Sequence, residues 1–459
     1  MTLPAAAPAR HAAESAASGG PGFSPTRIIE VELTEALPRL EHDGHYSSVF
    51  ILARLYSEPI GVCVVPLPDE GMKPSELAAV LWKDLNVAVA ERFAAAGFAA
   101  PTLLTEAGLA AAPGDWPLLR RRAALLADAP FISVVVCTRD RPEQIKKCLN
   151  RLSRQEYPRY EVVVVDNAPT SDALRPVVES HVVEGQSAGE MAFRYSVEPR
   201  PGLSWARNAG IAAAKSDIIA FLDDDDEPDE HWLTGIAEGF ARSSKMGCVS
   251  GIVLPARLDN AVENLFEQIG GHSKGRGFTA ETFSKNGPQS PLWPLPPFGV
   301  GANMAFRREA LDRIGGFDVA LGAGTPTGGG EDTLAISLVM LCGYEVAYEP
   351  VALMWHHHRQ DMVSLNKQLS NYSIGLTAFY AALLRHRPSA LLGLVKLLPL
   401  AASYLRGGRD SAEEAPKEDL GELAAQLDRK PMQGMLKGPL LYGRSRRQQR
   451  RVAATARAR

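Results

Sequence analysis

The chain has 459 residues, 46% of them hydrophobic and 22% charged, a composition that fits a globular protein with room for two domains or more. Its net charge of −4 supplies no overall basic field, which argues against nucleic acid as a partner. The five cysteines (Cys63, Cys137, Cys148, Cys248, Cys342) are scattered without metal-ligand spacing, and suit reduced thiols in a cytoplasmic compartment rather than a disulfide framework.

Residues 1–25 are rich in Ala, Pro and Ser, lack the basic-then-apolar pattern of a signal peptide, and are expected to be disordered. Residues 26–113 read as a small α/β accessory domain. Ser47–Ala53 and Ile60–Val65 form a strand pair with Ser57-Glu58-Pro59 in the turn, and Ser75 starts a helix reaching Phe93. Residues 114–130, with Pro113-Gly114-Asp115 ahead of them and Arg120-Arg121-Arg122 inside, read as a linker.

From Ile132 a strand-then-helix pattern repeats. Ser133–Cys137 and Val162–Val165 are short apolar runs of the kind buried on both faces of a parallel sheet. Pro142 suits the first position of the helix between them. A helix from Ser171 to Glu184, a strand from Phe193 to Val197 and a helix through Trp205 to Ala214 lead to the strand Ile218–Leu222. The expected fold is α/β, a doubly wound and mainly parallel sheet over residues 131–365. Asp140, Asp166 and Asp223 each follow such a strand, at the edge where open α/β sheets bind ligands. Asp223-Asp224-Asp225-Asp226 would repel itself there unless a cation or partner offset the charge, and hard oxygen ligands suit Mg²⁺ or Mn²⁺.

The ordered motifs carry a resemblance. Val134–Arg141, Gln155-Glu156-Tyr157-Pro158, Glu161–Asn167, Ala206–Gly210, Phe221–Asp226, Gly315-Gly316-Phe317-Asp318 and Gly330-Glu331-Asp332 together resemble glycosyltransferase family 2, inverting sugar transferases of the GT-A fold. The resemblance implies a metal-dependent transfer of a sugar from a nucleotide-diphospho-sugar (UDP, GDP or dTDP type) to an acceptor hydroxyl on a glycan, lipid-linked saccharide or secondary metabolite. It implies that Thr138, Asp140, Asp166, Arg207, Asp223 and Asp224 bind the donor, with Asp166 on its base, and that Asp223 and Asp225 hold the metal. Glu331 and Asp332 form the catalytic acid pair, with Asp332 as general base. Trp293 and Asn303 fall on the acceptor side. Arg139-Asp140 stands where the family has Tyr-Asn, and Asn167 where it has a second acid, so the base read by the pocket is left open.

The four aspartates cannot all bind one small ion, so Asp224 or Asp226 is expected to face outward or to orient its neighbours. Trp355-His356-His357-His358 follows a further strand. Alternate residues of an extended segment share a face, so either one of His356 and His358 or His357 is placed to bind, and the resemblance makes His356 or His358 the metal candidate. Gly322–Gly330 is read either as a loop closing over the donor or as an ordinary surface loop.

Residues 366–435 are expected to be helical, with the apolar segment Leu391–Leu400 interrupted by Lys396 and Pro399, and residues 436–459 form a basic tail. Together they suit either a peripheral contact with an anionic membrane on its cytoplasmic face or a helical cap followed by a disordered tail. No run reaches ~18 uninterrupted apolar residues, so no membrane-spanning helix is expected. Two rivals remain. A sugar-phosphate nucleotidyltransferase would carry a glycine-rich loop after the first strand, where Thr138-Arg139-Asp140-Arg141-Pro142 has none. A non-catalytic nucleotide-sugar binding module would not need Asp225, Asp332 and the histidines together.

Overall fold

The computed structural model describes residues 25–110, 112, 114–181, 193–273, 275–295, 297–407, 420, 423–424, 426–427 and 431–457. The disorder expected before residue 25, and the end of the helix expected to reach Glu184, lie outside these residues.

The N-terminal unit is a sheet of β1 (Thr26–Glu32), β2 (Ser48–Leu55) and β3 (Glu58–Pro66), covered by α1 (Pro74–Ala95). The β2–β3 turn is tighter than expected. It consists of Tyr56 and Ser57, both at positive φ (52° and 67°), as a two-residue hairpin of primed type requires. Glu32 accepts both of their amides, at 3.0 and 2.9 Å, and so holds that unusual backbone in place. The segment read as a linker is instead α2 (Pro117–Ala127). Its Arg122 is buried against Glu238 at 2.9 Å and docks the helix, while Arg120 and Arg121 are exposed.

The larger unit follows in chain order: β4 (Ile132–Thr138), α3 (Pro142–Leu152), β5 (Tyr160–Asn167), α4 (Leu174–Glu179), β6 (Phe193–Glu198), α5 (Leu203–Ala213), β7 (Ile218–Asp223), β8 (Asp226–Pro228), α6 (Trp232–Ala241), β9 (Met246–Pro255), α7 (Ala261–Gln268), β10 (Glu281–Phe283), β11 (Asn303–Arg307), α8 (Arg308–Ile314), α9 (Glu331–Leu341) and β12 (Glu345–His356). Among the described residues nine strands form one sheet, in the order β10-β12-β9-β11-β7-β4-β5-β6 with β8 paired to β12. The pairs β4–β5, β5–β6, β4–β7 and β9–β12 are parallel, whereas β11 runs antiparallel to β7 and β9. The expected doubly wound sheet is therefore present.

Its valine-rich strands are buried on both sides because each feeds two cores. Val134, Val136, Val162 and Val164 pack with Ile145, Cys148, Leu149 and Trp232 in one layer. Val135, Cys137, Val163 and Val165 pack with Ala206, Leu311, Ile336 and Val339 in the other. After β4 the chain builds β5 and β6 on one side, then returns to lay β7 on the other. That reversal opens a crevice beyond the carboxyl ends of β4 and β7, where such sheets bind ligands.

Among the described residues the longer helices that follow are α10 (Met362–His386), α11 (Ala390–Gly407) and α12 (Pro431–Arg457). The basic segment is helical through most of its length, and α12 lies on α10. Gly438 lets the two backbones meet, since a Cβ there would fall 2.6 Å from the Ile374 carbonyl oxygen. Tyr442 donates to Asp318 at 2.7 Å, and Trp205 donates to Gln449 at 2.8 Å, so the helix is fastened to the larger unit. No helix among the described residues is long and apolar enough to cross a membrane.

Packing beneath α6 is close: a Cβ on Gly235 would come 2.3 Å from the Ala352 backbone nitrogen. Backbone cannot yield as a side-chain tip can. Gly235→Ala is therefore expected to cost about 1–3 kcal/mol of stability, read as a lower denaturant midpoint at unchanged slope. An unchanged midpoint would mean that α6 can lift from β12 freely.

Candidate functional site

The parallel register brings the sequence-predicted acids together. Thr138 on β4 lies opposite Asp166 on β5, and Cys137 opposite Asp223 on β7. Asp166 is fully buried; Tyr195 donates to its Oδ2 at 2.9 Å, while Oδ1 has no hydrogen-bond partner. Burial raises its pKa. Asp140 is exposed at φ 54° and accepts the Thr170 amide at 2.9 Å, a conformation that aspartate tolerates better than most residues.

The four consecutive aspartates divide into distinct roles. Asp224 is buried and committed to protein partners. Thr138 Oγ1 donates to its Oδ2 at 2.6 Å and Arg141 to its Oδ1 at 2.8 Å, which locks the β4 loop to the end of β7. Asp223 is half-exposed and receives Arg207 at 3.3 Å. Loss of water in the crevice is the main reason its pKa rises to about 6; Arg207 opposes the rise, and Asp225 and Asp224 add to it. Asp226 is 1% exposed, with both carboxylate oxygens buried and unpartnered. Burial, then the charges of Asp223, Asp225 and Asp224, push its pKa well up.

Across the β8–β12 pairing Asp226 stands opposite His356, whose Nε2 is 4.0 Å from Oδ1. Asp225, Asp226 and His356 each offer a ligand atom within 4.8 Å of the others. Asp223 is not a member of that group and faces the guanidinium of Arg207. Of Asp224 and Asp226, one of which was expected to face outward or to orient its neighbours, Asp224 is held by Thr138 and Arg141, and Asp226 lies buried toward the histidine. The alternation along β12 holds: His356 and His358 are buried, and His357 turns to Glu227 at 2.9 Å. His358 groups with His356 and His272 rather than with the aspartates.

Arg207 on α5 joins the two acidic motifs. It is 1% exposed and reaches Asp223, the Glu331 Oε1 at 2.9 Å and the Gly301 carbonyl at 3.0 Å. Glu331 and Asp332 open α9, behind Gly330 at φ 90°. Glu331 is buried, and Asp332 is half-exposed with its Oδ1 receiving the Thr333 amide at 2.7 Å. A Cβ on Gly301 would lie 2.9 Å from Asp332 Oδ2, so only glycine leaves that approach open.

Two expected acceptor-side residues fare differently. Asn303 is a correction: it is buried, donates to the Ile252 and Ala352 carbonyls at 2.9 and 2.7 Å, and accepts the Trp232 indole at 2.9 Å. All of its polar atoms tie strands to α6, which leaves none for a ligand. Trp293 is half-buried in the irregular segment before β11. The glycine-rich segment is pinned rather than loose. The Leu203 amide donates to Ala323 O at 3.0 Å, Ser204 donates to Leu321 O at 2.8 Å, and a Cβ on Gly330 would meet the Gly375 carbonyl oxygen at 2.6 Å.

Three residues of the site went unassigned from sequence. Arg141 lay inside a quoted motif without a role of its own; Glu267, whose Oε1 lies 2.7 Å from His358 Nε2, and His272 stand in a stretch with no motif, and sequence carries no sign of them. For Asp226 the missing signal was the buried pairing of β8.

Residues 133–315 match the model of Glycosyl transferase family 2. Glycosyltransferase AglE of Haloferax volcanii is 35% identical over 106 residues, covering 23% of this chain and 33% of that protein. The succinoglycan biosynthesis protein ExoM of Rhizobium meliloti is 30% identical over 238 residues, 49% of this chain and 66% of that protein. This chain thus spans between one third and two thirds of these relatives' lengths. Among solved structures, the mannosyltransferase PcManGT from Pyrobaculum calidifontis, in complex with GDP-Man and Mn²⁺, aligns with 70% of this chain and 93% of that one, at 21% identity and TM-score 0.43.

The acids carry a pH signature. Burial, then Asp332, raises the Glu331 pKa from 4.5 to about 7 against the pull of Arg207. The folded state therefore holds a proton that the unfolded state has lost between these values, and its contribution to stability falls as pH rises from 4.5 to 7. Glu331→Gln should remove a slope on the order of 2 kcal/mol from the stability profile of metal-free protein over that range. Parallel profiles for the two proteins would show that Glu331 stays ionised.

Proposed function

We propose, for a chain whose residues 133–315 carry a Glycosyl transferase family 2 domain, that it moves a sugar from a nucleotide-diphospho-sugar to an acceptor hydroxyl with inversion. The observation that carries this reading is the chain of contacts that runs from Asp223, beside the Asp225, Asp226 and His356 group, through Arg207 to Glu331 next to Asp332.

The residues fit a divalent cation. Two unpartnered buried oxygens on Asp226 are costly unless a positive charge offsets them, and a mixed carboxylate and imidazole set favours Mn²⁺ over Mg²⁺. Asp225, Asp226 and His356 would hold that ion, which when bound neutralises charge growing on the leaving diphosphate. The chain's own groups do the rest. Asp166 suits the base of the donor, because Tyr195 fixes one oxygen while the other has no protein hydrogen-bond donor. Thr138 and Arg141 hold Asp224, so the β4 loop keeps its shape beside the nucleotide; Asp140 stands on the same rim.

Asp332 suits the general base. Thr333 anchors Oδ1, and Oδ2 faces the space that Gly301 leaves open, where an acceptor hydroxyl can deliver its proton. Glu331 is buried on Arg207 and serves to aim that guanidinium at Asp223 rather than to exchange protons with the acceptor. Trp293 belongs to the acceptor side in this reading.

The reading extends to a peripheral contact with the cytoplasmic face of a membrane. Leu392 is 76% exposed and Leu436 and Leu440 are each 78% exposed, on helices that also carry Lys396, Lys437 and Arg444. Apolar side chains beside basic ones suit an anionic lipid surface.

Three measurements test these assignments. Asp225→Ala should abolish the Mn²⁺-dependent part of donor binding in calorimetry across a panel of nucleotide sugars; unchanged coupling would remove Asp225 from the metal site. Asp332→Asn should lower turnover by about 10²–10⁴-fold with donor affinity nearly constant. Wild-type turnover in that variant would exclude Asp332 as the base. Sedimentation with anionic but not neutral vesicles, reduced in a Leu436→Ser, Leu440→Ser variant, is expected for the membrane contact, and equal recovery with both vesicle types would sink it.

A further inference from the structure

We infer that Glu267 and His358 act as a hydrogen-bond relay that sets the tautomer of His356, so that its Nε2 lone pair faces Asp225 and Asp226. Both are positioning residues, and the inference rests on the metal site proposed above.

The relay is read from the end that allows one solution. Glu267 on α7 places Oε1 2.7 Å from His358 Nε2. A carboxylate only accepts, so Nε2 of His358 carries the proton. In a neutral ring the lone pair is then on Nδ1, which lies 3.3 Å from Nδ1 of His356. Two facing lone pairs would repel, and the contact is a hydrogen bond only if His356 Nδ1 holds its own proton. The remaining lone pair of His356 is then on Nε2, the atom 4.0 Å from Asp226 Oδ1. That lone pair and the unpartnered carboxyl oxygens of Asp226 face each other across the gap, an arrangement that suits a cation between them.

The surroundings hold this order in place. Phe266 meets the His358 ring edge-on at 4.8 Å, and His272 packs on His356 at 4.3 Å. A Cβ on Gly271, at φ 51°, would fall 2.4 Å from Glu267 Oε1, so a glycine there leaves the carboxylate its place. Hydrogen-bonded carboxylates behind ligating histidines fix ring orientation and tautomer, and losing one typically costs 10–100-fold in metal affinity.

The test reads the tautomer first and the metal second. In metal-free protein carrying ¹⁵N-histidine, with His356 assigned by its loss in His356→Ala, ¹H–¹⁵N correlations should show His356 protonated on Nδ1 and bare on Nε2. Free Mn²⁺ measured by electron paramagnetic resonance should then show about 10–100-fold weaker binding in Glu267→Ala. Glu267→Gln, whose amide oxygen still accepts from His358, should retain most of the affinity, and melting of the metal-free variants controls for folding. His356 protonated on Nε2 would overturn the relay. So would unchanged Mn²⁺ affinity in Glu267→Ala, or an ion that broadens His272 and His358 rather than His356. If His356→Ala itself binds Mn²⁺ normally, the metal site falls, and that outcome is distinct from failure of the relay alone.

Discussion

One guanidinium decides whether this crevice can exist. β7 ends in four aspartates and α9 begins with a glutamate and an aspartate, and the sheet brings both groups to one rim. Arg207, 1% exposed, is the cation that bridges them, through Asp223 and Glu331. Removing one partner of a buried ion pair typically costs 3–5 kcal/mol, because the others are left as uncompensated charges. Here two carboxylates would be left facing each other. Arg207 offsets Asp223 and Glu331 but does not reach Asp226, whose charge has no protein counterpart. Arg207 pairs with Asp223 and Glu331 and Arg141 with Asp224, while Asp226 has no hydrogen-bond partner.

That division explains which parts of the site were legible in sequence. Val134–Val136 and Val162–Val165 announce strands buried on both faces, and the acids that end such strands fall at the ligand edge by topology alone. The alternation of His356, His357 and His358 follows from strand geometry in the same way. Partner choice among the four aspartates does not. It depends on β8 pairing with β12 to set Asp226 opposite His356, a contact between distant stretches that no local pattern encodes. Asn303 misled for the same reason. It sits in a motif-rich stretch, yet its amide is used up by Trp232, Ile252 and Ala352, three partners from three other elements.

The outlying parts of the chain act on the site through packing. Arg54 of β2 is buried against Asp229, just past β8, and Arg92 of α1 donates to the Phe278 carbonyl. The accessory unit therefore braces the turn from which Asp226 departs. On the opposite flank, α12 reaches α5 through Gln449 and Trp205, and Arg200 stacks over the same indole at 3.7 Å. The charge of the C-terminal segment was readable, but its docking was not, because docking turns on Gly434 and Gly438 meeting α10.

The same reasoning separates the two acids of α9. Their backbone positions are adjacent at a helix N-terminus, where the dipole favours negative charge in both. Their surroundings differ. Glu331 points into protein, loses its water and answers to Arg207, while Asp332 stays half-exposed beside a glycine that leaves room for an approaching group. A proton acceptor for an incoming hydroxyl must be reachable before its basicity matters. Access sets Asp332 apart from its neighbour, and Glu331 holds Arg207 against Asp223.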